Sequence, residues 1–96
     1  MPHLKIISGA SNASSTFELK PGETTIGRHP ECTIVVEAGA VSRFHAKVQG
    51  ESDRFELSDS GSRNGTYLNG QLVSTPTVLK DGDRVRISEV EFSYVA

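Results

Sequence analysis

Cysteine and long apolar runs are scarce in this 96-residue sequence, and both absences restrict what the chain can be. Its single cysteine, Cys32, cannot form an internal disulfide, and no group of cysteines and histidines has the spacing of a zinc site. No apolar run is long enough for a transmembrane helix or a secretory signal. We therefore expect a domain of the cytoplasm, or of the nucleus in a eukaryote, that binds no metal.

A strong charge of one sign is also absent. Ten lysines and arginines stand against twelve aspartates and glutamates, which gives a formal net charge of -2. This balance does not favour nucleic acid or an anionic membrane as a partner, so any anion must be bound by locally placed arginines. The length fits one domain over residues 1–96, alone or within a longer protein, and 35% hydrophobic residues are ordinary for a globular fold. We expect a monomer.

Apolar residues recur at every second position in short segments, which is the periodicity of strands with one buried face. These segments are Leu4/Ile6, Phe17/Leu19, Phe44/Ala46/Val48, Phe55/Leu57, Val85/Ile87 and Val90/Phe92/Tyr94. The alternation places Phe44 on the core face of its strand and His45 on the opposite face. No segment keeps a 3.6-residue apolar period long enough to predict a helix.

Turn-forming residues separate the alternating segments at close spacing. They include Gln49-Gly50-Glu51, Asn64-Gly65, Asn69-Gly70 and Asp81-Gly82-Asp83, and Gly and Asn accept the positive φ of tight turns. The last of these has too few carboxylates for a calcium loop and is interpreted as a turn. About ten short strands with frequent turns predict an all-β fold, a β-sandwich of two twisted antiparallel sheets with little or no helix.

Three polar clusters lie at the ends of predicted strands: Gly27-Arg28, Ser42 to His45, and Ser62 to Thr66. Because the loops of a sandwich gather at its two ends, the clusters can meet at one end. Guanidinium forks and hydroxyl groups match the oxygens of a phosphate. A nucleotide P-loop is not indicated, since the third cluster lacks the lysine and the following helix of that motif.

Taken in order, Gly27-Arg28, Ser42-x-x-His45, Ser62-x-Asn64-Gly65-Thr66 and Asn69-Gly70 resemble the signature of the forkhead-associated (FHA) domain. Leu79-Lys80-Asp81-Gly82-Asp83 also resembles that family's turn near the last strands, and the resemblance runs from Leu4 to Val95. It implies a sandwich of about eleven strands that binds phosphothreonine in extended peptides of Ser/Thr kinase signalling, without a cofactor.

The resemblance also implies a role for each matching residue. Arg28 and Ser42 would contact the phosphate directly, and Arg63 would approach it. Arg43 would contact the phosphate or the peptide, and Asn64 would bind the peptide backbone. Five further residues would support the site structurally: Gly27, His45, Gly65, Thr66 and Asn69.

Two alternatives belong to other functional classes. Ser42, His45 and Asp59 are the residue types of a hydrolase triad. A serine and a histidine three positions apart on a strand point to opposite faces, so we expect no enzymatic activity. The second alternative is an FHA-like scaffold that makes phosphate-independent protein contacts through a sheet face.

Overall fold

The computed structural model describes residues 2–52 and 54–96, which form eleven strands. The strands are β1 (His3–Ser8), β2 (Thr16–Glu18), β3 (Gly22–Gly27), β4 (Ile34–Val35), β5 (Ala46–Glu51), β6 (Arg54–Asp59), β7 (Thr66–Leu68), β8 (Gln71–Leu72), β9 (Thr77–Val78), β10 (Arg84–Ile87) and β11 (Val90–Val95). None of the described residues lies in a helix, so this part of the chain holds no helix that could cross a membrane.

The strands build two sheets. The first has six strands in the order β2-β1-β11-β10-β7-β8, and the second has five in the order β4-β3-β5-β6-β9. Strands β3 and β4 pair in parallel, through Ile26 with Ile34, whereas the other pairings among the described residues are antiparallel. The predicted all-β sandwich is therefore confirmed.

The buried core lies between the two sheets and follows the predicted alternation in most strands. Strand β11, for example, buries Val90, Phe92 and Tyr94 and leaves the residues between them partly exposed. The same period buries every second residue of β1, β6 and β10, as expected for sheets with one face in the core.

Two details of the strand that was predicted to contain Phe44 differ from the prediction. Strand β5 begins at Ala46, so Phe44 lies in the preceding turn and its side chain is 48% exposed. The strand also continues through Gly50, where a turn was predicted. A Cβ at Gly50 would lie 2.4 Å from the Phe55 ring, so this glycine permits close packing within the sheet and does not make a turn.

The predicted hairpin at Asn69-Gly70 is confirmed. These two residues have φ values of 50° and 85°, and they join β7 to β8 with Leu68 paired to Gln71. Positive φ at both turn residues fits the twist of the two flanking strands. The predicted turn at Asp81 to Asp83 also connects two strands, β9 and β10.

Candidate functional site

Three loops at one end of the sandwich enclose a pocket of about 490 Å³. They are residues 28–33 after β3, residues 36–45 before β5, and residues 60–65 between β6 and β7. The residues that line the pocket are Arg28, Gly39, Ala40, Val41, Ser42, Arg43, Arg63 and Asn64. The structure thus brings together all five side chains that were predicted to bind a phosphopeptide.

Arg28 is held at both its backbone and its side chain. Its backbone N–H donates to the carbonyl of Ser42 and its Nε–H donates to the carbonyl of Val41, each at 3.1 Å. Within the described residues its two Nη groups make neither a hydrogen bond nor an ion pair. A guanidinium fixed through Nε presents both Nη groups to an incoming anion in one orientation.

Ser42 and Arg63 are linked across the pocket. The backbone N–H of Arg63 donates to Ser42 Oγ at 3.1 Å, which leaves the hydroxyl proton of Ser42 for a ligand. Arg43 and Arg63 are exposed, and neither pairs with a carboxylate of the described residues. None of the aspartates and glutamates that the structure describes lines the pocket, so three guanidinium groups give it a local positive potential.

Asn64 is oriented by its side-chain amide. Its Nδ2 donates to the carbonyl of Ala40 at 3.1 Å and to Ser88 Oγ at 2.8 Å. Because a carbonyl oxygen only accepts hydrogen bonds, the amide atom that faces Ala40 must be Nδ2 and not Oδ1. Nδ2 therefore bonds within the protein, and Oδ1 remains as the acceptor for a ligand.

His45 is fully buried behind the pocket, where it joins two of the three loops. Its Nδ1 accepts the backbone N–H of Ser42 at 3.1 Å. Its Nε2 lies 2.8 Å from the carbonyl oxygen of Gly65 and must donate to it, because a carbonyl cannot. These partners fix the neutral tautomer with the proton on Nε2.

This geometry corrects one step of the argument against a hydrolase triad. Ser42 and His45 do not point to opposite faces of a strand, because residues 42–45 form a turn before β5. Both ring nitrogens of His45 nevertheless bond to backbone groups, so neither activates the Ser42 hydroxyl. Asp59 bonds to other residues and does not orient the ring.

Asp59, the last residue of β6, organises the loop that carries Arg63. Its carboxylate accepts the backbone N–H groups of Gly61 and Ser62, each at 2.8 Å, and the hydroxyls of Ser62 at 2.5 Å and buried Thr66 at 2.7 Å. Burial raises the pKa of Asp59, but these four hydrogen bonds together outweigh it and the pKa lies below its ordinary value of 3.8.

The glycines predicted to support the site have steric reasons for their identity. A Cβ at Gly27 would lie 2.0 Å from the carbonyl oxygen of Arg43, so β3 can approach the 42–45 turn only with glycine there. Gly65 has a φ of 85°, which a larger residue adopts at a cost. Asn69 lies outside the pocket lining, and its amide holds Asp83 and the backbone N–H of Arg84.

Sequence reasoning missed several residues of this region. Asp59 with Gly61 two positions later is the pattern of an Asx turn, and that signal was available in the sequence. The stack of Phe44 on His29, with ring centroids 4.9 Å apart, needs the fold to be seen. Ser88 bonds to partners 24 and 48 positions away, so no local pattern indicates it.

The class of protein that the fold and the site define is a β-sandwich that displays arginine, serine and asparagine from three loops at one end. The FHA domain family model matches residues 24–88, and the chain belongs to the FHA domain family. The resemblance derived from the ordered motifs is thereby confirmed.

Among curated proteins, the chain is similar to the glycogen accumulation regulator GarA of Mycobacterium tuberculosis. The two are 37% identical over 92 residues, which cover 96% of this chain and 56% of GarA. The chain therefore spans little more than half the length of this relative.

Solved structures agree with the fold over nearly the whole chain. One, from a structural and functional analysis of phosphothreonine-dependent FHA domain interactions, has a TM-score of 0.90 at 26% identity and covers 99% of this chain and 95% of its own. Another is the FhaA FHA domain complexed with the intracellular domain of Rv3910. It has a TM-score of 0.89 at 26% identity and covers 98% of this chain and 99% of its own.

Proposed function

We propose that residues 1–96 form a single FHA domain that binds phosphothreonine in an extended segment of a partner protein. The observation that carries this proposal is the pocket in which the fixed guanidinium of Arg28 and the hydroxyl of Ser42 lie together. The similarity to a structure studied for phosphothreonine-dependent FHA domain interactions supports the same conclusion.

The charges of the pocket favour a phosphorylated side chain over a carboxylate as its ligand. A phosphate monoester carries about -1.5 to -2 charges and three acceptor oxygens at neutral pH. Arg28 offers two Nη groups, Ser42 offers a hydroxyl proton, and Arg43 and Arg63 add positive charge. Several charge-assisted hydrogen bonds to one phosphate offset much of the entropy lost when a short peptide becomes ordered.

The peptide on either side of the phosphate would contact Asn64 and the loop before Ser42. The free Oδ1 of Asn64 suits a backbone N–H of the ligand, and the pocket lining contributed by Gly39, Ala40 and Val41 carries no charge. We infer that selectivity for neighbouring peptide residues favours small or apolar side chains over acidic ones.

The test is a library of phosphothreonine peptides with each flanking position varied, titrated against the domain. We expect micromolar affinity, about -8 kcal/mol. The selected sequence should bind far more weakly when its threonine is unphosphorylated. Equal binding of both forms would refute the proposal and favour phosphate-independent recognition through a sheet face.

A matched pair of arginine variants locates the site. Arg28→Ala should abolish phosphopeptide binding and leave the fold intact, because the side chain is exposed and lines the pocket. Arg54→Ala is the control, since Arg54 is equally charged and pairs with Glu56 away from the pocket lining. An Arg28→Ala protein that still bound the phosphopeptide at full strength would remove the central residue from the proposal.

A further inference from the structure

Ser88 has a backbone conformation that is unusual for a serine. It is the first residue of the two-residue turn between β10 and β11, and its φ is 54°. Hairpin turns with positive φ at the first residue usually carry glycine, asparagine or aspartate there, because most other residues are strained in the left-handed region. A residue in such a conformation persists only when the surrounding structure holds it in place.

The hydroxyl of Ser88 connects two loops of the pocket. It donates to the carbonyl of Ala40 at 2.9 Å and accepts the Nδ2–H of Asn64 at 2.8 Å. Nδ2 of Asn64 also donates to the same carbonyl, with Nδ2 3.1 Å from the oxygen, so the three groups close a triangle of hydrogen bonds. Ala40 and Asn64 both line the pocket, whereas Ser88 does not.

This triangle fixes the orientation of both side chains. The single hydroxyl proton of Ser88 goes to Ala40, and Nδ2 of Asn64 donates to both Ala40 and Ser88. Rotation of the Asn64 amide by half a turn would place Oδ1 against the Ala40 carbonyl and is disfavoured. The network therefore leaves Oδ1 of Asn64 as the acceptor that faces a ligand.

We propose that Ser88 is a positioning residue that sets the amide of Asn64 for peptide binding without touching the ligand. Its effect on affinity rests on the proposed function, whereas its effect on Asn64 does not. A consequence is that Ser88 contributes to binding of the peptide backbone and not to binding of the phosphate.

The decisive variant is Ser88→Gly, because glycine relaxes the backbone and removes the hydroxyl. We expect the thermal midpoint to stay the same or rise, while affinity for the selected phosphothreonine peptide falls about fivefold, the loss of roughly one hydrogen bond. Ser88→Ala should weaken binding similarly but lower the midpoint, since it keeps the strained backbone. Unchanged affinity in both variants, or a Ser88→Gly protein of clearly lower stability, would overturn the inference.

A double substitution separates positioning from general disturbance. If Ser88 acts through Asn64, the protein with Ser88→Gly and Asn64→Ala together should bind no more weakly than Asn64→Ala alone. Independent losses that multiply would contradict this coupling. Binding of inorganic phosphate, followed by the amide shifts of residues 42 and 63, should be the same in Ser88→Gly and wild type.

A second measurement needs no peptide. The side-chain amide signals of Asn64 in a 15N-correlated NMR spectrum should shift and exchange faster with solvent in Ser88→Gly, because Nδ2 loses one of its two acceptors. Asn12, whose amide donates to the carbonyl of Val35, is the internal control and should not change. Unaltered Asn64 signals would overturn the inference even if the wild-type protein ignored phosphate and the proposed function had failed.

Discussion

The Nε2 atom of His45 lies 2.8 Å from the carbonyl oxygen of Gly65 and joins two loops 20 residues apart. The same buried ring accepts the backbone N–H of Ser42, so His45→Ala would remove the partner of the Ser42 N–H and of the Gly65 carbonyl and leave a cavity where the ring was. We expect a loss of about 2–4 kcal/mol in the free energy of unfolding and weaker phosphopeptide binding in parallel.

Urea denaturation and peptide titration of the same His45→Ala preparation check this prediction. His29→Ala is the control, because His29 is only partly buried and its ring stacks on exposed Phe44. It should lose much less stability. A His45→Ala protein of wild-type stability that failed to bind would instead indicate that His45 contacts the ligand.

Gly27→Ala should be among the most destabilising single-methyl additions in the chain. The new Cβ would lie 2.0 Å from the carbonyl oxygen of Arg43, which also accepts the N–H of His29 at 3.1 Å. A backbone carbonyl cannot rotate away as a side chain can, so β3 and the 42–45 turn must separate. We expect a loss of about 3 kcal/mol or more.

The matched control for this substitution is Gly39→Ala. A Cβ at Gly39 would meet no atom within 4 Å, and this residue also lies in a loop of the site. Thermal unfolding of the two variants should therefore show a large fall in the midpoint for Gly27→Ala and almost none for Gly39→Ala. Equal midpoints would mean that the close approach of β3 to the turn does not constrain stability.

The features that sequence reasoning predicted well are set by local periodicity or by turn chemistry. The alternation of Val90, Phe92 and Tyr94 indicates a buried strand face because side chains alternate across any strand. The pair Asn69-Gly70 indicates a tight hairpin because both residues tolerate positive φ. The five predicted binding residues come together because each lies at a strand end, and loops of a sandwich gather there.

The errors have a common physical cause, which is that periodicity does not reveal where a strand starts or why a glycine is present. Phe44 continues the apolar alternation of Ala46 and Val48 but lies before β5, so its ring is exposed. Gly50 fits a turn by composition, yet the Phe55 ring occupies the space beside it. Ser88 became visible only when the fold placed it next to Asn64.

Cys32 should be unreactive in the native protein. Its side chain is 6% exposed and its thiol donates to the carbonyl of Arg43 at 3.2 Å. Burial raises the pKa of this thiol, against hydrogen bonds with Thr25 and His29 that lower it, so little thiolate is present at neutral pH. A chromogenic disulfide reagent should label Cys32 slowly in native protein and at once in urea; rapid native labelling would show that the 28–33 loop opens readily.

Asp59 should make the domain sensitive to acid. Its pKa in the folded state lies below the ordinary value of 3.8, because four hydrogen bonds to the carboxylate outweigh its burial. A lowered folded-state pKa means that the stabilisation is complete above about pH 5 and is lost as the pH falls through the folded pKa. Asp59→Asn should cost about 2 kcal/mol at neutral pH, and the difference from wild type should shrink toward pH 2. Glu18→Gln, at an exposed carboxylate on β2, is the control and should change the free energy of unfolding neither at neutral pH nor at pH 2. If the free energy of unfolding of Asp59→Asn differed from that of wild type by the same amount from pH 7 to 2, this account would be contradicted.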